Sequence, residues 1–133
     1  MVKLCQAVDA AMVFMLNKEK LMRSIIFEEL RPDEIFKAGE YLKERLQTTN
    51  IVGLFWMLLP EEILTGEQKD LSATAGPYKI SVDLGKDKIR FELLVRAEEI
   101  TNIGGGYADN SQLEYIHAFA VKLAEELELK TCL

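Results

Sequence analysis

The stretch with the most chemical promise is Gly104-Gly105-Gly106-Tyr107-Ala108-Asp109-Asn110, three glycines directly ahead of an amphipathic run. Glycines before a helix let backbone N–H groups converge on an anion, and the helix dipole adds to the attraction. The spacing is neither G-x-G-x-x-G nor a phosphate loop, since no Lys-Ser/Thr follows. Asp109 also brings its own carboxylate to the helix start, so the plainer reading is a connection between sheet and helix with Tyr107 folded over the core edge. His117, the single histidine, follows on the same helix at the flank of its apolar stripe, one turn from Leu113 and Val121. General acid–base work with Glu114 or a sheet carboxylate is the chemistry open to it, set against a partly buried structural role. A lone histidine with no Cys/His spacing around it does not make a zinc site. Gly104, Gly105, Gly106, Tyr107, Asn110 and His117 are therefore the candidate ligand-binding residues, for an anionic metabolite or nucleotide. No residue is assigned a catalytic role, and no metal or other cofactor is expected.

Other reactive side chains are less suggestive. Carboxylates pair at Glu28-Glu29, Asp33-Glu34, Glu61-Glu62, Glu98-Glu99 and Glu125-Glu126. Adjacent carboxylates point about 100° apart on a helix, a poor arrangement for one metal. Magnesium-dependent nucleotide hydrolysis uses Glu-Glu-x-x-Glu helices, and here Glu28-Glu29 runs into Leu-Arg-Pro instead. These pairs read as solvated faces. Ser24, Ser72, Ser81 and Ser111 include no G-x-S-x-G elbow. Met12, Met15, Met22 and Met57, with Phe14 and Phe27, read as core, with an adaptable partner-binding surface as the alternative.

The elements that must position such residues belong to a chain of 133 residues, 49% hydrophobic and 29% charged, with a formal charge of −6. That length suits one domain, residues 1–133, with a core that needs no staples. The negative charge and the lack of a basic, aromatic-laced run argue against nucleic acid. Cys5 and Cys132 form neither a disulfide framework nor a Cys-x-x-Cys pair, and read as thiols in a reducing compartment. Ala7–Leu16 is too interrupted by Asp9 for a secretory leader, and no run reaches the roughly 20 apolar residues of a membrane span. A cytoplasmic protein without a membrane partner is expected.

Along the chain, Leu4, Val8, Ala11, Met12 and Met15 recur at helical spacing over residues 2–16, and Val13, Phe14 and Leu16 make that helix apolar nearly all round. Leu21, Met22, Ile25, Ile26 and Leu30 continue the rhythm, as a second helix or as one helix of about 28 residues and ~42 Å. Pro32 stops it and starts another through Ile35, Ala38, Leu42 and Leu46 to about Gln47. Ile51–Leu59, nine apolar residues closed by Pro60, predicts a strand buried on both faces. Pro60-Glu61-Glu62 opens a short helix, and Gly66–Gly76 reads as a loop. Tyr78–Leu84 and Ile89–Arg96 alternate strictly about Gly85-Lys86-Asp87, the pattern of an antiparallel hairpin with one dry and one wet face. The last helix is expected to start at Asp109, Asn110 or Ser111, with Ser111-x-x-Glu114 matching a capping box, and its inner stripe is Leu113, Ile116, Ala120, Leu123, Ala124 and Leu127.

The expected fold is α+β: two or three N-terminal helices, a three-stranded mainly antiparallel sheet (51–59, 78–84, 88–96) and a C-terminal helix packed on one face. Such a sheet leaves edges, and the first helix has apolar surface to cover, so self-association as a homodimer is expected. The functional expectation is a small non-enzymatic binding or regulatory module, homodimeric and open to a protein partner. The alternative is a small-molecule site, in a binding protein or an enzyme, between the Gly104–Asn110 turn and the last helix. If one face of the 51–59 strand is bare in the monomer, that face is where a second subunit belongs.

Overall fold

The computed structural model describes residues 23–99 and 101–128. The helix expected over 2–16, and the start of the segment around Leu21, lie outside them. Among the described residues the protein is α+β, with three α-helices and an antiparallel seven-stranded sheet in place of the expected three strands. The strands are β1 (Ser24–Phe27), β2 (Gln47–Thr48), β3 (Leu54–Leu58), β4 (Tyr78–Leu84), β5 (Ile89–Glu92), β6 (Leu94–Ala97) and β7 (Gly106–Tyr107). The helices are α1 (Pro32–Arg45), α2 (Gly66–Ala75) and α3 (Asn110–Glu126). Across the sheet the order is β1-β5-β4-β3-β2, with β6 beside β4 and β7 beside β6.

The first correction is β1, expected to be helical. Ile26 and Leu30 keep a helical spacing, whereas Ile25 and Phe27 keep a period of two. The latter two are buried, and they pair with Phe91 and Ile89. Two adjacent isoleucines favour the extended chain, and tertiary pairing decides between the two periods. The second correction concerns 51–59. Only Leu54–Leu58 is strand, because Gly53 sits at φ +87° just before it. Phe55 and Met57 face the core, whereas Leu54 and Trp56 are half-buried and Leu58 is exposed, so the strand is dry on one face only.

The third correction is Gly66–Ala75, read as a loop and found as α2. Its residues have little amphipathic pattern, but Thr65 and Gln68 form a capping box at its start. Three smaller differences follow from local competition. The helix from Pro32 ends at Arg45, so that Gln47 and Thr48 can pair with Trp56 and Phe55. After Pro60 the chain makes one 3-10 turn, Glu61–Ile63. The expected 88–96 strand is divided: Val82 pairs with Phe91 but Lys79 pairs with Arg96, so three steps of β4 face five of its partner. The two extra residues form a bulge around Leu93. Leu93 N–H donates to Arg23 O (2.9 Å) and Leu93 O accepts from Ala108 N–H (2.9 Å), which sets β1 and β7 end to end along that edge.

The core lies between the dry sheet face and the helices. All six residues of the expected α3 stripe, from Leu113 to Leu127, are buried. Phe119 of α3 meets Phe91 and Tyr41 edge-on, with ring centroids 6.1 and 5.9 Å away, so β5, α3 and α1 share one aromatic cluster. Such pairs add about 0.5–1.5 kcal/mol beyond the area they bury. α1 starts without a side-chain cap, since arginine has no acceptor. Glu34, buried, reaches back instead to accept from Arg31 N–H at 2.8 Å.

Candidate functional site

The glycine turn lies where the first turns of α2 and α3 converge, and its surroundings are built by three glutamine or tyrosine side chains that the sequence reading passed over. At α2, Thr65 Oγ1 accepts from Gln68 N–H (3.1 Å) and Gln68 Oε1 accepts from Thr65 N–H (3.0 Å). At α3, Asp109 Oδ1 accepts from Gln112 N–H (2.9 Å) and Gln112 Oε1 accepts from Asp109 N–H (3.1 Å). Of the three expected starts, Asp109 is the cap, and its box is closed by Gln112, in place of the expected Ser111–Glu114 box. Asp109 is the better choice because a carboxylate also complements the positive helix end. The two boxes are joined: Gln112 Nε2 donates to Gln68 Oε1 at 2.8 Å, and Gln68 Nε2 donates to Gly104 O at 3.0 Å.

Tyr78 closes the floor. Its ring is buried, and its hydroxyl donates to Ile103 O at 2.8 Å. Loss of solvation raises its pKa above the ordinary 10.0, and the Glu67 carboxylate adds to the rise. Asn102 shapes the turn from the other side, in the left-handed region at φ 59°. Its side-chain oxygen accepts from Ala97 N–H (2.6 Å) and its backbone carbonyl accepts from Gly105 N–H (3.0 Å).

Each expected site residue can now be placed. Gly104 has φ +81°, and a Cβ there would lie 2.6 Å from the Tyr78 hydroxyl. A Cβ on Gly105 would overlap the Asn102 amide, whereas one on Gly106 would meet nothing within 4 Å. Tyr107 lies in β7 and its hydroxyl accepts from Arg23 Nη1 at 2.7 Å, with that guanidinium 4.9 Å from its ring centroid. Asn110 is exposed at the first position of α3. His117 is half-buried, seven residues and about 10 Å further along the helix. Of the six residues, only Gly104 and Gly105 belong to the hydrogen-bonded turn. Asn110 and His117 stand apart from it.

What the arrangement does chemically is fix one loop to two helix starts. The α3 start carries the Asp109 carboxylate, and Gly105 N–H is directed at Asn102 O, so these groups are engaged within the protein. Gln68 and Gln112 were legible in principle, because Thr65-x-x-Gln68 and Asp109-x-x-Gln112 both follow the capping-box pattern. Among the described residues, no group of three or more His, Cys, Asp or Glu side chains is placed to hold a metal ion. No helix among them is long and apolar enough to cross a membrane.

Two surface features lie elsewhere. A groove of about 290 Å³ runs between α1 and the end of α3, lined by the apolar Phe36, Tyr41 and Leu127 and by charges of both signs, Lys37 and Arg45 with Glu40, Glu44 and Glu126. Arg45 lies 3.8 Å over the Tyr41 ring and 3.2 Å from Glu44, which occupies that cation. The second is the β2–β3 connection, where Ile51 is 63% and Val52 101% exposed. This tip is well tied: Thr49 Oγ1 accepts from Ile51 N–H (3.0 Å) and donates to Leu54 O (2.9 Å), and Gly53 O accepts from Leu84 N–H (2.7 Å). Two large apolar side chains are thus held outward on an ordered turn, next to the half-open face of β3. Comparison with family models, with curated proteins and with solved structures finds no match to this chain.

Proposed function

We propose that this chain is a small non-enzymatic binding or regulatory module that acts in the cytoplasm as a homodimer. The observation that carries the reading is the run Ile51–Leu58, where Ile51, Val52 and Leu58 are exposed on a turn and strand fixed by the bonds above. Apolar side chains on a floppy tip lose ordering entropy when they bind. On an ordered one they are a preformed contact, with little ordering entropy lost on association. Support comes also from the glycine turn, whose amide side chains point into the fold. The small-molecule alternative would need Asp109 to leave the α3 start or an anion to bind beside it.

One thermal-shift experiment addresses both readings. A dimer gains stability with concentration by mass action, so its melting temperature should rise as the protein is concentrated. Nucleotides and phosphorylated metabolites should leave it unchanged. A concentration-independent melting temperature counts against the homodimer. A ligand-induced rise removed by Gly105→Val would move the function to the glycine turn.

A further inference from the structure

We infer that the Ile51-Val52 tip of one copy of this chain seats in the groove between α1 and α3 of a second copy, and that the second copy's tip seats in the first copy's groove. The inference rests on the homodimeric reading and assigns its contact. Val52 is 101% and Ile51 63% exposed, so among the described residues the tip has no seat of its own. Phe36, on the groove wall, is 70% exposed. One molecule thus carries a fixed apolar knob and an apolar hollow.

The hollow suits the knob in size and in chemistry. A cavity of about 150 Å³ takes a benzene ring, and this groove is about 290 Å³, room for the aliphatic carbons of one isoleucine and one valine. The residues from Gln47 to Gly53 carry no charge. The groove has no surplus charge to offer a charged segment: Glu44 is paired with Arg45 at 3.2 Å and Glu40 with Lys43 at 3.5 Å, while Lys37 and Glu126 add one charge of each sign. A charged occupant would have to break those pairs or be buried without a counter-charge. An uncharged tip meets Phe36, Tyr41 and Leu127 at no such cost.

The fold sets knob and hollow on opposite flanks of α1. Gly53 O accepts from Leu84 N–H (2.7 Å), and Leu84 Cδ2 packs on Gly39 of α1, 3.3 Å from where a Cβ would stand. Phe36, Glu40 and Tyr41 line the groove on the other side of the helix, and the exposed face of α1 lies between. A two-fold axis over that face can bring both tips to both grooves at once, an isologous contact that closes at two copies. The exposed face carries Asp33, Glu40 and Glu44 against Lys37, Lys43 and Arg45, so two α1 helices meet there without net repulsion. A contact built on two tips and two grooves belongs to the small class, below about 1,200 Å² in all, whose partners exchange on dilution.

Complementation between variants tests the pairing. Val52→Asp and Phe36→Asp should each weaken self-association on the order of tenfold or more, read as molar mass by sedimentation. Mixed one to one, the two proteins should recover dimer, because the intact tip of the Phe36→Asp copy meets the intact groove of the Val52→Asp copy. A second measurement needs no aspartate. In a Cys5→Ser/Cys132→Ser background, Val52→Cys and Phe36→Cys proteins oxidised together should form a disulfide between unlike copies in excess over links between like ones. Single aspartate variants that leave the dimer intact, singles that fail with no recovery on mixing, or no link between unlike copies overturn this assignment while the homodimer stands. A wild type that is monomeric at every concentration overturns both.

Discussion

Gln112 and Gln68, forty-four positions apart, meet through a buried 2.8 Å hydrogen bond that joins the first turns of α3 and α2. Each glutamine also caps its own helix, and Gln68 holds Gly104 O as well. A side chain that links a helix start, a second helix and a loop should behave as a unit with its partner. Gln68→Leu leaves the buried Gln112 side-chain N–H without its acceptor, at about 1–3 kcal/mol, whereas after Gln112→Leu the Gln68 amide keeps Thr65 N–H and Gly104 O. The double variant Gln68→Leu/Gln112→Leu should cost less than the sum of the singles, with a coupling of about 1 kcal/mol. Urea denaturation of the four proteins measures it, and strict additivity would show that the bond does not couple the helices.

The three glycines should separate cleanly. Gly104→Ala combines a left-handed backbone with a close approach to the Tyr78 hydroxyl, and should lose about 1–3 kcal/mol. Gly106→Ala adds a methyl to open space and should stay within roughly 0.5 kcal/mol of wild type. Equal losses at both positions in chemical denaturation would mean that the turn is not held against Tyr78.

Tyr78 gives the fold an alkaline limit. Its raised pKa means the folded state favours the neutral phenol, because burial and Glu67 both oppose the phenolate. The corresponding stability is whole below pH 10.0, the ordinary value, and is lost as pH rises through the higher folded value. Wild type should therefore lose urea resistance above pH 10 more steeply than Tyr78→Phe. Below that pH the phenylalanine variant should be weaker by about 1 kcal/mol, for the hydrogen bond to Ile103 O. Parallel pH profiles for the two proteins would contradict this.

How far the fold was legible depended on whether periodicity had one solution. The hairpin of β4 and its partner and the buried stripe of α3 have strong single periods; the stripe stands as expected, and the hairpin stands except that its second strand is divided at Leu93. The run from Ile25 to Leu30 fits two periods, helical through Ile26 and Leu30 and alternating through Ile25 and Phe27, and only pairing with Ile89 and Phe91 decides between them. α2 has almost no apolar pattern, so its signal lay in the Thr65–Gln68 cap and not in its hydrophobic residues. The candidate site was legible as a place, since the glycines do sit at the start of α3. Its character was not, because Gln68 and Tyr78 reach it from 36 and 25 positions away through Gly104 O and Ile103 O. Ile51–Leu59 read as doubly buried because all of its residues are apolar; burial of one face and exposure of the other follow from which layers the chain supplies.

The homodimer proposed for this chain is tested most directly by the molar mass of the wild-type protein. Light scattering across a wide concentration range should give about 30 kDa, twice the 15.1 kDa of one chain, falling toward the single-chain value on dilution. A mass of 15.1 kDa at every concentration would contradict the homodimer and leave the apolar tip at Ile51-Val52 without a second copy to meet.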